Sequence, residues 1–265
     1  MKISIVMAYY NRIIQIKNTL RSISDSAHKS EIEVVIVDDA SSDDHRLETI
    51  VGDFDLDIKL IRINPSEKKW VNACVPFNIG FKNASNDLII FQNPECIHVG
   101  DIVSVSRNLI RSNLYLNFGC YSTDKVTSEK LASLSKYDLD RVRNVLNPMV
   151  NRAPITDGEN AWYNHPLYRP SGLHFCSAIM KADLVDLGGF DEIYSQGVAY
   201  DDNELIVRIQ RKKMDVSMIS EPFVIHQFHE TAPFNKNENL ILRNKLIFES
   251  MLSKDEGYKP VIGAF

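Results

Sequence analysis

Four polar clusters in this chain have the residue types and spacing that chemistry requires. Asp38 and Asp39 close one apolar run, and Gln92, Asn93, Pro94 and Glu95 close another. Asp201 and Asp202 open a helical pattern, and His226 is followed three residues later by His229. A carboxylate accepts hydrogen bonds from a base N–H and from ribose hydroxyls, and an aromatic ring such as that of Tyr9 can cover the base. Glu95 is a hard oxygen ligand suited to a divalent cation, which in turn would hold a diphosphate. A carboxylate within hydrogen-bond reach of a hydroxyl can take its proton. Each cluster also has a purely structural reading, because aspartates at a helix start cap it and late histidines often sit on the surface.

The elements that must position these groups follow from hydrophobic spacing. Ile3 to Met7 is a continuous apolar run, the pattern of a strand buried on both faces of a parallel sheet. Ile13, Ile16, Leu20 and Ile23 recur every three or four residues and predict a helix over Ile13 to Ile23. Further strands are expected at Ile32 to Val37, Ile58 to Ile63 and Leu88 to Phe91. A weak helix is expected around Arg46 to Val51, and another over Val71 to Asn83 with Pro76 in its first turn. This alternation predicts a doubly wound α/β fold, in which ligands bind beyond the carboxyl ends of the strands, where both acidic clusters fall.

The second half is less regular. A helix from about Ile102 to Arg111, a strand from Tyr115 to Tyr121 and a long loop over Asn147 to Ser171 lead to a strand at Leu173 to Met180. Then come a helix over Ala182 to Leu187, a G-G-F-D-E turn and a helix from Asp201. Two short strands, Val216 to Ile219 and Phe223 to Ile225, and a closing helix over Leu240 to Leu252 complete the pattern.

Composition removes several classes. With 265 residues, 44% hydrophobic, 25% charged and a net charge of −5, the chain is an acidic globular protein long enough for one large domain. Phosphate neutralisation needs clustered cations, and the basic runs are only Lys68-Lys69 and Arg211-Lys212-Lys213, so no nucleic-acid partner is expected. Cys74, Cys96, Cys120 and Cys176 form no C-x-x-C pair and are expected as reduced core thiols. With no signal-like start and no span of about 20 apolar residues, a cytoplasmic location is expected, compatible with peripheral membrane association.

No G-x-G-x-x-G loop follows the first strand, where M-A-Y-Y-N-R stands instead, and no G-x-x-x-x-G-K-[ST] loop occurs. Dehydrogenases and P-loop NTPases are thereby disfavoured. The series M-A-Y-Y-N-R, V-V-I-V-D-D-A-S-S-D-D, L-I-I-F-Q-N-P-E, G-G-F-D-E and A-Y-D-D-N-E-L resembles glycosyltransferase family 2 on a GT-A fold, over roughly Ile3 to His229. V-D-D-A-S-S-D is similar to the family's V-D-D-G-S-x-D. The resemblance implies that Asp38, with Asp39, binds the nucleotide base and ribose, while Ala8, Tyr9, Asn11 and Arg12 line the base and diphosphate side. Asn78 and Asn93 join that nucleotide-binding set. It also implies a Rossmann-like mixed sheet forming one GT-A domain, with a nucleotide-sugar half to about residue 100 and an acceptor and catalytic half beyond.

One departure stands out. Where the fold usually carries D-x-D for Mn2+ or Mg2+, this chain has Asn93, Pro94 and Glu95. Glu95 with His226 would still hold the ion, more weakly for the lost charge, and metal-independent binding is compatible too. G-G-F-D-E followed by D-D-N-E-L is similar to a galactosyltransferase-type C-terminal segment, in which Asp202 would deprotonate the acceptor hydroxyl and Asp201 would bind the acceptor. Trp162 and Tyr163, with His165 and Tyr168, either stack on a sugar or anchor their loop. The implied activity is transfer of a sugar from a nucleotide-diphosphate donor, of the UDP type, to a hydroxyl on a glycan, lipid-linked sugar or protein. Inversion is expected, and retention is the alternative if the acidic helix only orients substrates. The rival readings are a sugar-phosphate nucleotidylyltransferase, which should carry a Gly-rich first loop, and a catalytically silent carbohydrate-binding module.

Overall fold

The structure, a computed structural model, describes residues 1–146, 159–254 and 257–265. Its first half is a parallel sheet built by β1 (Ile3–Tyr9), β2 (Ile32–Asp38), β3 (Asp57–Arg62) and β4 (Leu88–Gln92) in the order β3-β2-β1-β4. Both faces of β1, β2 and β4 are covered, which is why those strands read as nearly unbroken apolar runs, whereas the edge strand β3 alternates, with Asp57 and Lys59 exposed. Ile3, Ile5 and Met7 join one core with Ile16, Leu20 and Ile23 of α1 (Ile13–Ser24), while Val6 joins the opposite core with Phe77 and Phe81 of α2 (Cys74–Asn83). The second contact is close: a Cβ on Gly80 of α2 would lie 2.4 Å from Val6 Cγ1, so only glycine lets helix and strand approach this far.

The sheet continues as β4-β8-β6-β9-β5, with β8 (Cys176–Met180) antiparallel to β4, and β6 (Leu114–Ser122) antiparallel to β8 but parallel to β9 (Asp215–His226). At the far end β5 (Cys96–Val99) runs antiparallel to β9, and β7 (Trp162–Asn164) pairs β6 off the main path. The two expected strands at Val216 and Phe223 are one element. Phe118 pairs with Ile219 and Gly119 with Phe223, so Ser220, Glu221 and Pro222 bulge out at a residue that lacks a ladder N–H.

The expected helix at Arg46 to Val51 is instead a series of single 3-10 turns at Asp43–His45, Leu47–Thr49 and Val51–Asp53. Only Leu47 and Ile50 of the span from Arg46 to Val51 are buried there, too few to hold a longer amphipathic helix down. Of the long loop predicted from Asn147 to Ser171, residues 147–158 lie outside the described residues, and the remainder contains β7 and a bridge between His165 and Arg169. Strand β5 and the helices α4 (Lys125–Ala132) and α5 (Leu139–Leu146) have no counterpart among the predicted elements. The remaining helices, α3 (Ile102–Leu109), α6 (Lys181–Leu187), α7 (Asp201–Arg211) and α8 (Glu238–Leu252), fall where the spacing predicts them. All four cysteines are free and buried, and no described helix is long and apolar enough to cross a membrane.

Candidate active site

The carboxyl ends of β1 and β2 open into a cavity of about 780 Å³, walled by Ala8, Tyr10, Asn11 and Arg12 after β1, Asp39 after β2, Asn72 before α2, Asn93 after β4 and Asp201 at the start of α7. The segment from His229 to Asn235 forms its other side.

The β1 and β2 loops turn tightly at Asn11 and Ala40, with φ of 51° and 62°. They are stitched together by Asn11 N–H to Ser41 Oγ (3.0 Å) and Ser42 N–H to Asn11 Oδ1 (2.9 Å). Asp38 does not face the cavity. It is 0% exposed, and its oxygens accept from Ser41 N–H at 2.9 Å and from Arg62 at 2.7 Å. Asp39 does face it, gripped by Lys68 Nζ at 2.7 Å and Trp70 Nε1 at 2.9 Å. Burial pushes the Asp39 carboxyl up, and the Lys68 and Trp70 contacts oppose that. The weight placed on Asp38 from sequence therefore shifts to its neighbour, because Asp38, as the last residue of β2, spends its carboxylate on closing the loop.

Tyr9 is likewise corrected. Strand alternation turns it into the core, where its hydroxyl donates to the His45 carbonyl at 2.8 Å, whereas Tyr10 lines the cavity with Lys68 Nζ 4.2 Å over its ring. Asn78 also has no free polar end. Its Oδ1 accepts from Phe190 N–H at 2.9 Å, and its amide donates to Phe190 O and Glu192 Oε1 at 2.9 and 3.0 Å, pinning the G-G-F-D-E turn to α2. A Cβ on Gly189 would meet that Oδ1 at 2.6 Å, which explains one glycine of the motif. Trp162 is 2% exposed and packs on Tyr121, Phe223 and His165, so it anchors its segment rather than offering a face to a sugar. Tyr163 lies against His226 and lines an adjoining cavity of about 440 Å³ with His226, His229 and Lys236.

The register of β5 on β9 pairs Cys96 with His226, which puts the preceding Glu95 beside the histidines. Glu95 Oε1 stands 3.1 Å from His226 Nε2 and 3.6 Å from His229 Nε2, while Oε2 pairs with Arg12 at 2.6 Å. Gln227, between the two histidines, is tied to α1 by Gln15 O (3.0 Å) and Asn18 (2.8 Å) and to Glu95 O (2.9 Å), fixing the turn that brings both rings to one carboxylate. Burial raises the Glu95 carboxyl, but the Arg12 charge and the two histidines outweigh it and hold the group well below the usual range. The three ligand atoms lie within 4.8 Å of one another. Ligands about 2.1 Å from one ion stand about 3 Å apart when adjacent, so the set fits a divalent ion, and its nitrogen content suits Mn2+ better than Mg2+. His229 joins the expected Glu95 and His226.

At α7 the backbone is strained. Ala199 and Tyr200 both have positive φ, 61° and 69°, immediately before Asp201. The conformation is held by Asn244 of α8, 0% exposed, whose amide donates to Tyr194 O and Ala199 O at 3.1 and 2.9 Å. Asp201 accepts from Asn72 at 2.9 Å and forms part of the cavity wall. Asp202 accepts its neighbour's N–H from Asn203 at 2.8 Å through Oδ1, and its Oδ2 points toward His174. Burial raises both carboxyls, and for Asp201 the Asp202 charge adds to it.

An open sheet with parallel β3-β2-β1-β4 and a mixed continuation defines the GT-A fold, and solved structures agree. S. aureus TarS 1–349 in complex with UDP-GlcNAc has TM-score 0.61 at 17% identity, covering 97% of this chain and 68% of that one. The mannosyltransferase PcManGT from Pyrobaculum calidifontis, in complex with GDP-Man and Mn2+, has TM-score 0.57 at 16% identity, over 97% of this chain and 65% of that one. Within this fold, residues 4–103 match the family model described as Glycosyl transferase family 2. An uncharacterized glycosyltransferase of Rickettsia conorii (strain ATCC VR-613 / Malish 7) is 28% identical over 202 residues, 74% of this chain. The chain spans 32% of that relative's length and 41% of the longer TarS structure.

Proposed function

We propose that this chain is a glycosyltransferase that moves a sugar from a nucleotide-diphosphate donor, of the UDP type, to a hydroxyl acceptor with inversion. The observation that carries the reading is one cavity at the strand ends lined by Arg12, His229 and Asp201, with the buried Glu95 joining Arg12 and His229 to His226, and Asp202 next to Asp201 in the first turn of α7. Tyr10 and Asp39 take the base and ribose, Ala8, Asn11 and Asn93 line the donor path, and Arg12 faces the diphosphate. A divalent ion, Mn2+ by the donor set of Glu95, His226 and His229, supplies Lewis-acid stabilisation of the departing diphosphate when bound. Asp202 is the base: as the acceptor oxygen bonds to the anomeric carbon and the bond to the diphosphate oxygen breaks, the hydroxyl proton passes to its carboxylate. Asp201 holds the acceptor.

The acceptor enters by the adjoining cavity at Tyr163 and is a glycan, a lipid-linked sugar or a protein. The two halves act as one GT-A unit, since Glu95 of the first and His226 of the second share a single cluster. The α7 start is the galactosyltransferase-like element of this unit, outside the span of the family match. Calorimetric titration with UDP, GDP, CDP and TDP, each with and without Mn2+, tests the reading. One nucleotide binding with metal enhancement is expected, and binding of none would return the chain to the class of silent carbohydrate-binding modules.

A further inference from the structure

His174 has no part in the scheme above, yet it is placed with unusual care. It precedes β8 by two residues, and its ring is boxed by Phe77 of α2, Phe91 of β4 and Phe190 of the G-G-F-D-E turn, at centroid distances of 5.1, 6.0 and 5.0 Å. Three phenylalanine rings fix the imidazole plane and offer it no hydrogen bond. Its Nδ1 is buried with no hydrogen-bond partner and stands 4.0 Å from Asp202 Oδ2. A buried polar atom in a finished core is normally satisfied, so an unpaired one aimed at a carboxylate marks a contact that is made in another state of the site. A small turn of the Asp202 side chain, about 23% exposed and therefore free to move, closes the gap to hydrogen-bond length.

We propose that His174 is a positioning residue for Asp202, donating from Nδ1–H to Oδ2 so that the carboxylate stays ionised and aimed at the acceptor hydroxyl. The inference rests on the reading of Asp202 as the base. Burial keeps the imidazole neutral, opposed by the charges of Asp201 and Glu95. It therefore acts as a dipolar donor rather than as a counter-charge. The groups bearing on the pair are Asp201, Asp202 and Glu95 around the histidine, and Asp201 and the Tyr115 ring around Asp202. Burial disfavours ionisation of Asp202, and a hydrogen bond to its charged form opposes that.

The test compares His174→Phe, which fills the aromatic box without a donor, with His174→Asn, whose amide nitrogen falls near the position of Nδ1. The readout is the titration of the Asp202 carboxyl carbon by NMR in 13C-labelled protein, assigned by the loss of its signal in Asp202→Asn. His174→Phe is expected to raise the midpoint by about one pH unit, with His174→Asn close to wild type. The acid limb of slow UDP-GlcNAc hydrolysis, with water as acceptor, moves with that midpoint. An unchanged midpoint in His174→Phe, or an equal rise in both variants, overturns the proposal. Melting temperature and UDP calorimetry on both variants establish that each is folded with its donor side intact. If wild-type protein bound none of UDP, GDP, CDP and TDP, the functional reading itself would fall and the role of His174 with it, whereas an unmoved midpoint in a nucleotide-binding protein removes His174 alone.

Discussion

Arg12→Met isolates the electrostatic logic of the site. Glu95 is 1% exposed and divides its two oxygens: Oε1 faces both histidines and Oε2 has Arg12 at 2.6 Å. Methionine keeps most of the side-chain volume and removes the charge, leaving Oε2 buried and unpaired. Breaking a buried ion pair from one side costs about 3 to 5 kcal/mol, because the remaining charge is left without water or partner. The Arg12 side chain is 23% exposed, so solvent recovers part of this and the lower figure applies. For a chain of this size about 3 kcal/mol corresponds to a fall in Tm of about 6 to 12 °C. The control is Arg111→Met, which breaks a pair with Asp215 of similar length, 2.7 Å, but with both side chains more than half exposed. Such pairs contribute about 0 to 1 kcal/mol. Thermal unfolding of both variants, with and without Mn2+, is the assay. Added Mn2+ is expected to raise the Tm of Arg12→Met more than that of wild type, since the ion would replace the lost charge beside Glu95. Equal melting of the two variants would show that Glu95 does not depend on Arg12, and the account of the cluster would fail.

Other perturbations separate binding from chemistry. Asp202→Asn should lower turnover by about two to four orders of magnitude while leaving UDP affinity unchanged in calorimetry. Because burial raises the Asp202 carboxyl above 3.8, and a base must be ionised to act, wild-type turnover should fall on the acid side at a pH above that value. A limb at or below it would contradict the buried environment. Asp39→Ala should weaken UDP binding by about 1 to 3 kcal/mol. Asp38→Ala, which removes the acceptor of Arg62 Nη1 and of Ser41 N–H, should instead show its larger effect in chemical denaturation, and the reverse pattern would restore Asp38 as the nucleotide ligand. Ala40→Gly removes a Cβ at φ 62° and should stabilise the protein by up to about 1 kcal/mol, read as a shift in urea midpoint at constant slope.

The parallel half of the sheet was legible because β1, β2 and β4 are buried on both faces, β3 alternates as an edge strand does, and α1 carries a continuous apolar stripe, so local pattern and tertiary environment agree there. The start of α7 was legible for a similar reason, since acid residues before an apolar period mark a helix end whatever else they do. Where the reading slipped, the deciding fact was direction rather than identity. Tyr9 and Tyr10, or Asp38 and Asp39, are indistinguishable as types, and which one faces the cavity depends on where β1 and β2 stop and on a turn with positive φ at Asn11 and Ala40. Arg12 on Glu95 and His229 on Glu95 are contacts across 83 and 134 positions of sequence, set by the β5–β9 register and the Gln227 clamp. His174 has no local signal at all: in sequence it is one histidine in a loop, and only the three phenylalanines from separate elements give it a direction.

The order in which the sheet is laid down bears on when this site can exist during synthesis. Strand β9 is ninth in the chain but sits between β6 and β5, so β5 has no neighbour in the sheet until residues 215–226 have left the ribosome. The acid pair waits longer still, because Asn244 holds the left-handed Ala199–Tyr200 step and belongs to α8. A nascent chain stalled between Gln92 and Glu238 holds all four strands of the β3-β2-β1-β4 half but lacks the strut that presents Asp201 and Asp202. Presentation of the acid pair is thus coupled by topology to the folding of α8, an element that follows it in the chain.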